Sequence, residues 1–443
     1  MANNAYTDSP AAREALQRRT LRVVMTSQVF GGAGLAAGVT VGTLLAADML
    51  GTSSLSGLPV ALFTAGSAAA ALLVGRLSQR LGRRAGLTAG YAAGAIGGAG
   101  VVLAAAVDSV PLLLVFLLVY GAGTATNLQA RYAGADLVGP QRRGRAVSSV
   151  LVATTLGAVA GPNLVAITGD VARQAGIPAL AGPFGLAAIA YAVAGAVLFA
   201  LLRPDPLQIS RRIAAAEPPD TAVAKLPDTA VAEPRVAAAA ELPVAAIAGP
   251  QRTLGSEPSA GVMAGATTMV LTQLVMVAVM AMTPIHMRAH GHDLHATGLV
   301  IAVHIAGMYL PSPLTGLLVD RVGRVPVAVA SGLTLLVAGV VAASAPTDSV
   351  AVLALALALL GLGWNLGLVS GTAMITDALP LQTRAGTQGA VDLCVALAGA
   401  GGGIASGMIL SATSYATLAL GGGLVALAII PLIARRRPTD ATA

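Results

Sequence analysis

The chain alternates long apolar runs with short polar breaks. Twelve runs read out this way, at residues 22–49, 57–75, 86–106, 112–137, 146–168 and 184–202, then at 260–284, 297–319, 325–344, 350–378, 388–411 and 415–434. Each is close to the roughly 20 residues that cross a hydrocarbon core. In lipid the backbone N–H and C=O groups must be satisfied within their own segment, so these runs predict helices. A transmembrane barrel would alternate apolar and polar residues with period two, and these runs do not. The pattern is that of an all-α membrane protein with twelve transmembrane helices, spans 1 to 12.

Composition supports this pattern. Hydrophobic residues make up 56% of the chain, charged residues only 10%, and the mean hydropathy is +0.80. A soluble domain carries about 25% charged residues. So few charges cannot cover a water-facing surface, which excludes a large soluble helical protein. The formal net charge of +7 sits in short loops, so no nucleic-acid partner is expected. The single cysteine, Cys394, excludes an intrachain disulfide. A polar stretch to Leu21 precedes an apolar run too long for a signal-peptide core, so no cleavable signal is expected.

The charges fall unevenly on the breaks. One side holds Arg13, Arg18, Arg19 and Arg22, then Arg76, Arg80, Arg83 and Arg84, then Arg142, Arg143 and Arg145. It also holds Arg321, Arg324, Arg384 and the tail Arg435 to Arg437, whereas the other side holds only Arg173 and Arg288. Positive loops stay in the cytoplasm, so residues 1–21 and 435–443 are expected to be cytoplasmic. Residues 203–259 are rich in Ala, Pro and Glu and repeat Pro-Asp-Thr-Ala-Val-Ala at 219–224 and 227–232. They are expected to form a disordered cytoplasmic linker between bundles at 22–202 and 260–434.

The two halves echo one another. Gly75-Arg-Leu-Ser-Gln-Arg-Leu-Gly-Arg-Arg84 follows span 2, and Gly316-Leu-Leu-Val-Asp-Arg-Val-Gly-Arg324 follows span 8, an offset of 241 residues. The same offset carries Asp136 onto Asp377 and Gly161 onto Gly402. Two related six-helix bundles are one transporter design.

These loops resemble the signature of the major facilitator superfamily, in which a Gly, an Asp-Arg pair and a Gly-Arg-Arg follow span 2, with a weaker copy after span 8. The resemblance covers both halves and omits the linker. It implies a secondary transporter, not an enzyme, working by alternating access on a small-molecule substrate in the lipid bilayer. It also implies a bacterial plasma-membrane location and no cofactor; the chain is read as a monomer. The loops would act as a conformational latch built from Gly75, Arg80, Gly82, Arg83 and Asp136, with Gly316, Asp320, Arg321, Gly323, Arg324 and Asp377 in the second copy. In the family the loop Arg meets the acid ending span 4, which implies Arg80 on Asp136 and, by the repeat, Arg321 on Asp377. Gln79 replaces the first copy's Asp and removes its charge. In span 5, Gly157-Ala-Val-Ala-Gly161-Pro162 resembles the motif of proton-coupled exporters, although Val165 and Ala166 replace its later glycines. In span 4, Gly121-Ala-Gly123 resembles a third motif, but Leu117 stands where its Arg belongs.

Ionisable groups inside spans are costly and mark functional sites. Arg131 lies eight residues before Gly139, about 12 Å into span 4 at 1.5 Å per residue. It shares the span with Asn127 and Gln129, and either lines a cavity or snorkels to the headgroups. Asp48 ends span 1. Asp392 starts span 11, where the helix dipole favours an acid, and reads as structural. Gln273, Met276, Met280, His304, Trp364 and Asn365 complete the cavity candidates, with Thr26, Ser27 and Gln28 alongside. Asp48, Arg131 and His304 are the candidates for proton coupling.

All five histidines fall between His286 and His304, and seven of the twelve methionines lie between Met263 and Met308. Thioether and imidazole suit soft metals, so His286, His290 and His292 are weak metal candidates; methionine packing explains the rest. The leading reading is proton-coupled efflux of small amphipathic compounds. The alternatives are an importer, a transition-metal or metal-chelate transporter using spans 7 and 8, and a non-transporting membrane sensor.

Overall fold

The computed structural model describes residues 6, 9–50, 58–216 and 259–434. Among them there is no strand, and ten helical segments are long and apolar enough to cross a membrane. Together with the helices Pro10–Leu50 and Arg143–Asn163 they form the twelve spans.

In the first half, span 1 (Pro10–Leu50) packs on spans 5 and 6, span 2 (Leu58–Leu81) on span 4, and span 3 (Arg83–Ala106) on spans 4 (Val110–Ala135) and 6 (Gly182–Leu201). The second half repeats the plan. Span 7 (Ala260–Ala289) packs on spans 10 (Val350–Ala378) and 11 (Arg384–Ala412), and span 9 (Arg324–Ser344) on spans 10 and 12 (from Tyr415). The halves meet chiefly where span 2 lies against span 11 and span 5 against the second part of span 8. The result is two pseudo-symmetric six-helix bundles.

Three spans are broken. Span 5 runs Arg143–Asn163 and continues as Val165–Gln174, the break following Pro162, which lacks an amide donor. Span 8 runs Leu294–Tyr309 and Ser312–Arg321 around Pro311 and Pro313. Asn365 of span 10 closes that gap, its Nδ2 donating to Met308 O and Ser312 Oγ, both at 2.8 Å. Backbone freed inside a membrane has to find such a partner. Span 12 breaks between Leu427 and Ile429.

Two expectations are corrected. Span 1 starts at Pro10 rather than 22, because the polar stretch before Leu21 is helical and buries Leu16, Gln17 and Thr20. Residues 206–216 are not irregular linker but a helix, Pro206–Ala216, set across the arginine-rich end. Leu207 and Ile209 are buried while Gln208 and Arg212 face out, and Asp205 accepts the amides of Leu207 and Gln208 at 3.0 and 3.1 Å. The capped start and the amphipathic face outweigh the alanine-rich composition. The linker's residues 217–258 and the tail 435–443 lie outside the described residues.

Candidate functional site

The arginine-rich end is closed by two copies of one arrangement. Gly82 and Gly323 take φ of 98° and 106°, a turn that L side chains rarely adopt. Each turn delivers the following arginine to an acid at the end of a neighbouring span. Arg83 Nε meets Asp136 Oδ2 at 2.8 Å, and Arg324 Nε meets Asp377 Oδ2 at 2.8 Å. Arg80 and Arg321, expected in these roles, are exposed and form no ion pair among the described residues. They precede the turn, so their side chains leave on its solvent side.

The fifth residue of each loop crosses to the other half. Asp320 Oδ1 accepts the amide of Gly144 at 2.8 Å, and its Oδ2 accepts that of Arg145 at 3.1 Å. Gln79 Oε1 accepts the amides of Ala385 and Gly386 at 2.7 and 3.3 Å. Each thus caps the first turn of a span in the opposite bundle, where four amides lack helical partners. Gln79 keeps the cap of its copy without a formal charge, because an amide oxygen accepts as a carboxylate oxygen does. Asp320 adds an ion pair to Arg145 Nε at 3.0 Å, and Arg143 pairs with Asp377 across the seam. At Gly75 the backbones touch: a Cβ there would sit 2.7 Å from Gly389 Cα. Gly316 lies as tightly against Gly144 and Ser148. Arg211 of the short helix ties the seam further, its guanidinium donating to Gln79 O at 2.9 Å and to Leu381 O at 3.3 Å.

Deeper in the seam lies a buried ion pair. Arg131 Nη2 of span 4 is 2.6 Å from Asp392 Oδ1 of span 11, with both side chains out of solvent. Arg131 Nε donates to Thr372 Oγ1 of span 10 at 3.0 Å, and Nη2 also reaches Tyr132 OH at 2.8 Å. Tyr132 OH donates in turn to Asp392 Oδ1 at 3.2 Å. The repeat offset of 241 residues separates Arg131 from Thr372, so the pair straddles the pseudo-twofold. Asp392 is corrected from a helix-start acid to an interior one, eight residues into span 11, where the dipole contribution has faded. Its Oδ2 has no hydrogen-bond partner among the described residues. Between this pair and the loops, Arg83 Nη2 donates to Gln388 Oε1 at 2.5 Å, and Gln388 Nε2 donates to Thr376 Oγ1 at 3.2 Å.

The other expected residues divide. Asn127 O accepts from Gln28 Nε2 at 2.9 Å, and Tyr91 OH donates to Gln28 Oε1 at 2.6 Å, a cluster buried inside the first bundle. Gln129 Nε2 is spent on Ala71 O at 2.6 Å. In the second bundle Trp364 Nε1 donates to Gln273 Oε1 at 2.7 Å, while Met276 is buried and Met280 half-buried. His304 is buried with Nδ1 on Leu357 O at 2.9 Å and Nε2 without a partner among the described residues. Gly157 lies against Val29 and Ala33 of span 1 with no room for a Cβ, and the side-chain surroundings of Gly161 and Pro162 are outside the described residues. Asp48 is exposed. His286 stacks on Tyr415 at 4.3 Å, and ring nitrogens of His290 and His292 bond backbone carbonyls at 2.8 Å. No three metal-ligating side chains converge among the described residues.

A family model for the Major Facilitator Superfamily matches residues 23–274 and 264–443. The chain belongs to that superfamily. Members are secondary transporters of small molecules rather than enzymes, and they are multi-pass membrane proteins. A relative in Bacillus subtilis (strain 168), described as the uncharacterized MFS-type transporter YdeG, is 55% identical over 431 residues, 97% of this chain and 94% of its own length. The riboflavin transporter RfnT of Brucella anthropi is 30% identical over 99% of both chains. Among solved structures, the proton:xylose symporter XylE superposes with a TM-score of 0.71 at 15% identity, covering 96% of each chain. The human organic anion transporter MFSD10 gives 0.69 at 16% identity, covering 94% of this chain and 99% of its own. At such identities these superfamily structures share the fold alone.

Proposed function

We propose that this superfamily transporter exports small, weakly charged organic compounds in exchange for protons, and that its basic end is cytoplasmic. On this reading, closure of the basic end belongs to the outward-facing part of the cycle. The observation that carries the reading is the Arg131–Asp392 pair, buried across the seam the halves must open. Removing one partner of a buried pair leaves a charge unpaired and costs about 3–5 kcal/mol. A proton on Asp392 cancels its charge without moving a side chain, so protonation from the open side loosens the seam. Arg131 stays charged at any physiological pH and rebinds Asp392 when the proton leaves. The loops, from Gly75 to Arg83 and from Gly316 to Arg324, act as the latch that keeps the basic end shut between cycles.

Efflux is supported by the exporter-like Gly157, Gly161 and Pro162 in span 5. Gln273, Trp364, Met276 and Met280 are the substrate contacts offered, since an indole, an amide and thioethers suit a flat ring with polar edges. The relative named for riboflavin makes that heteroaromatic compound the first probe, although the name fixes no direction. The test is a susceptibility and uptake panel comparing deletion and overexpression strains, covering drugs, riboflavin and metal salts. Export predicts resistance and lower accumulation on overexpression. Higher accumulation would reverse the direction, and a response confined to metal salts would move the function to the His/Met region.

A further inference from the structure

On the outer wall of the first bundle, at its basic end, spans 3 and 6 and the short helix Pro206–Ala216 enclose a cavity of about 350 Å³. Its lining includes Arg84, Phe199, Arg203, Asp205, Gln208 and Arg212. The Arg84 guanidinium lies 4.6 Å from the Phe199 ring centre and donates Nε to Phe199 O at 2.8 Å. Arg203 lies over the same ring at 5.7 Å. The one carboxylate present, Asp205, is spent on backbone: its Oδ2 accepts the Arg84 amide at 2.7 Å, and its Oδ1 accepts those of Leu207 and Gln208. None of the three arginines forms an ion pair among the described residues.

Phe199 also opens a second, apolar groove of about 420 Å³, running along Thr88, Ala92, Ile96, Ala192 and Ala196. It extends about 12 Å from the cavity at 1.5 Å per residue. Ile96 is 61% exposed and Phe199 55%, so this wall faces the hydrocarbon in a membrane-embedded chain. Small residues on spans 3 and 6 make it concave. The two spaces therefore join a cationic mouth at the interface to an apolar trough along the bundle.

We propose that this site binds an anionic phospholipid, its phosphate held by Arg84, Arg203 and Arg212 and one acyl chain lying between spans 3 and 6. Guanidinium forks match phosphate oxygens in pairs, and basic pockets between helices at a membrane surface take up anionic headgroups. A soluble phosphate would fill the mouth and leave the trough empty. A zwitterionic lipid would gain less from a mouth that holds three arginines against one carboxylate. Because Asp205 caps the helix that carries Arg211, and Gln208 and Arg212 belong to it, the bound lipid also anchors the strap across the seam. The proposal needs the chain only to lie in a bilayer, so it stands or falls apart from the direction of transport.

The test is native mass spectrometry of the full-length chain in detergent, titrated with dioleoyl phosphatidylglycerol or dioleoyl phosphatidylcholine. Phosphatidylglycerol should be retained roughly tenfold better, because it brings the same phosphate without a choline cation to be repelled by the arginines. Arg203→Gln with Arg212→Gln should remove the preference, and both positions are exposed, so the fold is not at stake. Ala192→Phe, at an exposed groove position, should cut retention about fivefold by filling the trough. Millimolar glycerol phosphate should not displace the lipid. Equal retention of both lipids, or an undiminished preference in the arginine variant, would overturn the proposal. Displacement by glycerol phosphate with normal binding to Ala192→Phe would assign the site to a soluble anion instead.

Discussion

Gln79 and Asp320 make the same contact at matching points of the two halves: each side-chain oxygen accepts two amides that open a span in the opposite bundle. One is neutral and the other charged, so acceptor geometry is what the position conserves between the copies. The caps join bundle to bundle, and they must break whenever the basic end opens.

Loss of either cap therefore biases the chain toward opening. An N-cap is worth about 1 kcal/mol, so Gln79→Ala should raise the open population roughly fivefold. Asp320→Ala should raise it more, since the Arg145 pair goes too. A cysteine in place of the buried Ser148, in a Cys394→Ser background, reports this by its rate of maleimide labelling. Unchanged labelling in both variants would reduce the loops to packing.

The buried pair separates structural from functional roles. Arg131→Ala should abolish transport and destabilise the chain by about 3–5 kcal/mol, because Asp392 is left buried without its partner. Arg131→Lys should restore stability in part, its point charge replacing the fork that reaches Thr372 and Tyr132 together. The double variant Arg131→Met with Asp392→Leu should melt near the wild-type temperature yet carry no substrate. Transport by that double variant would remove the pair from the coupling site.

Among the described residues, Arg211 is the one residue of the short helix bonded to loops of both halves. Its replacement by Ala should loosen the closed end by about 1 kcal/mol, the usual net value of a hydrogen bond. Ser148→Cys labelling should rise severalfold while thermal stability changes little. An equal effect of Gln208→Ala, whose side chain donates to Leu81 O of the first half, would point to the helix as a whole.

The twelve spans were legible because membrane crossing is a matter of local length and apolarity. Even the pseudo-twofold could be read from the loops at 75–84 and 316–324. The partners were not, since Arg83 and Arg80 differ only in which side of the Gly82 turn they occupy. The offset that maps Asp136 onto Asp377 also maps Arg131 onto Thr372, so the sequence itself carries a signal of their contact. Asp392 was misread because its depth in span 11 depends on where that helix starts. The amphipathic helix at 206–216 was hidden by alanines, its burial being set by loops from both bundles.

The most direct test of the account is a distance measured across the seam. Spin labels at the exposed Arg142 and Arg321, one on each half at the basic end, suit pulsed electron resonance on Cys394→Ser chain in lipid nanodiscs. The account predicts two distances: a short one dominating at high pH, and a longer one gaining population as pH falls or when Asp392→Asn removes the carboxylate charge. A single short distance, unmoved by pH and by Asp392→Asn, would contradict it.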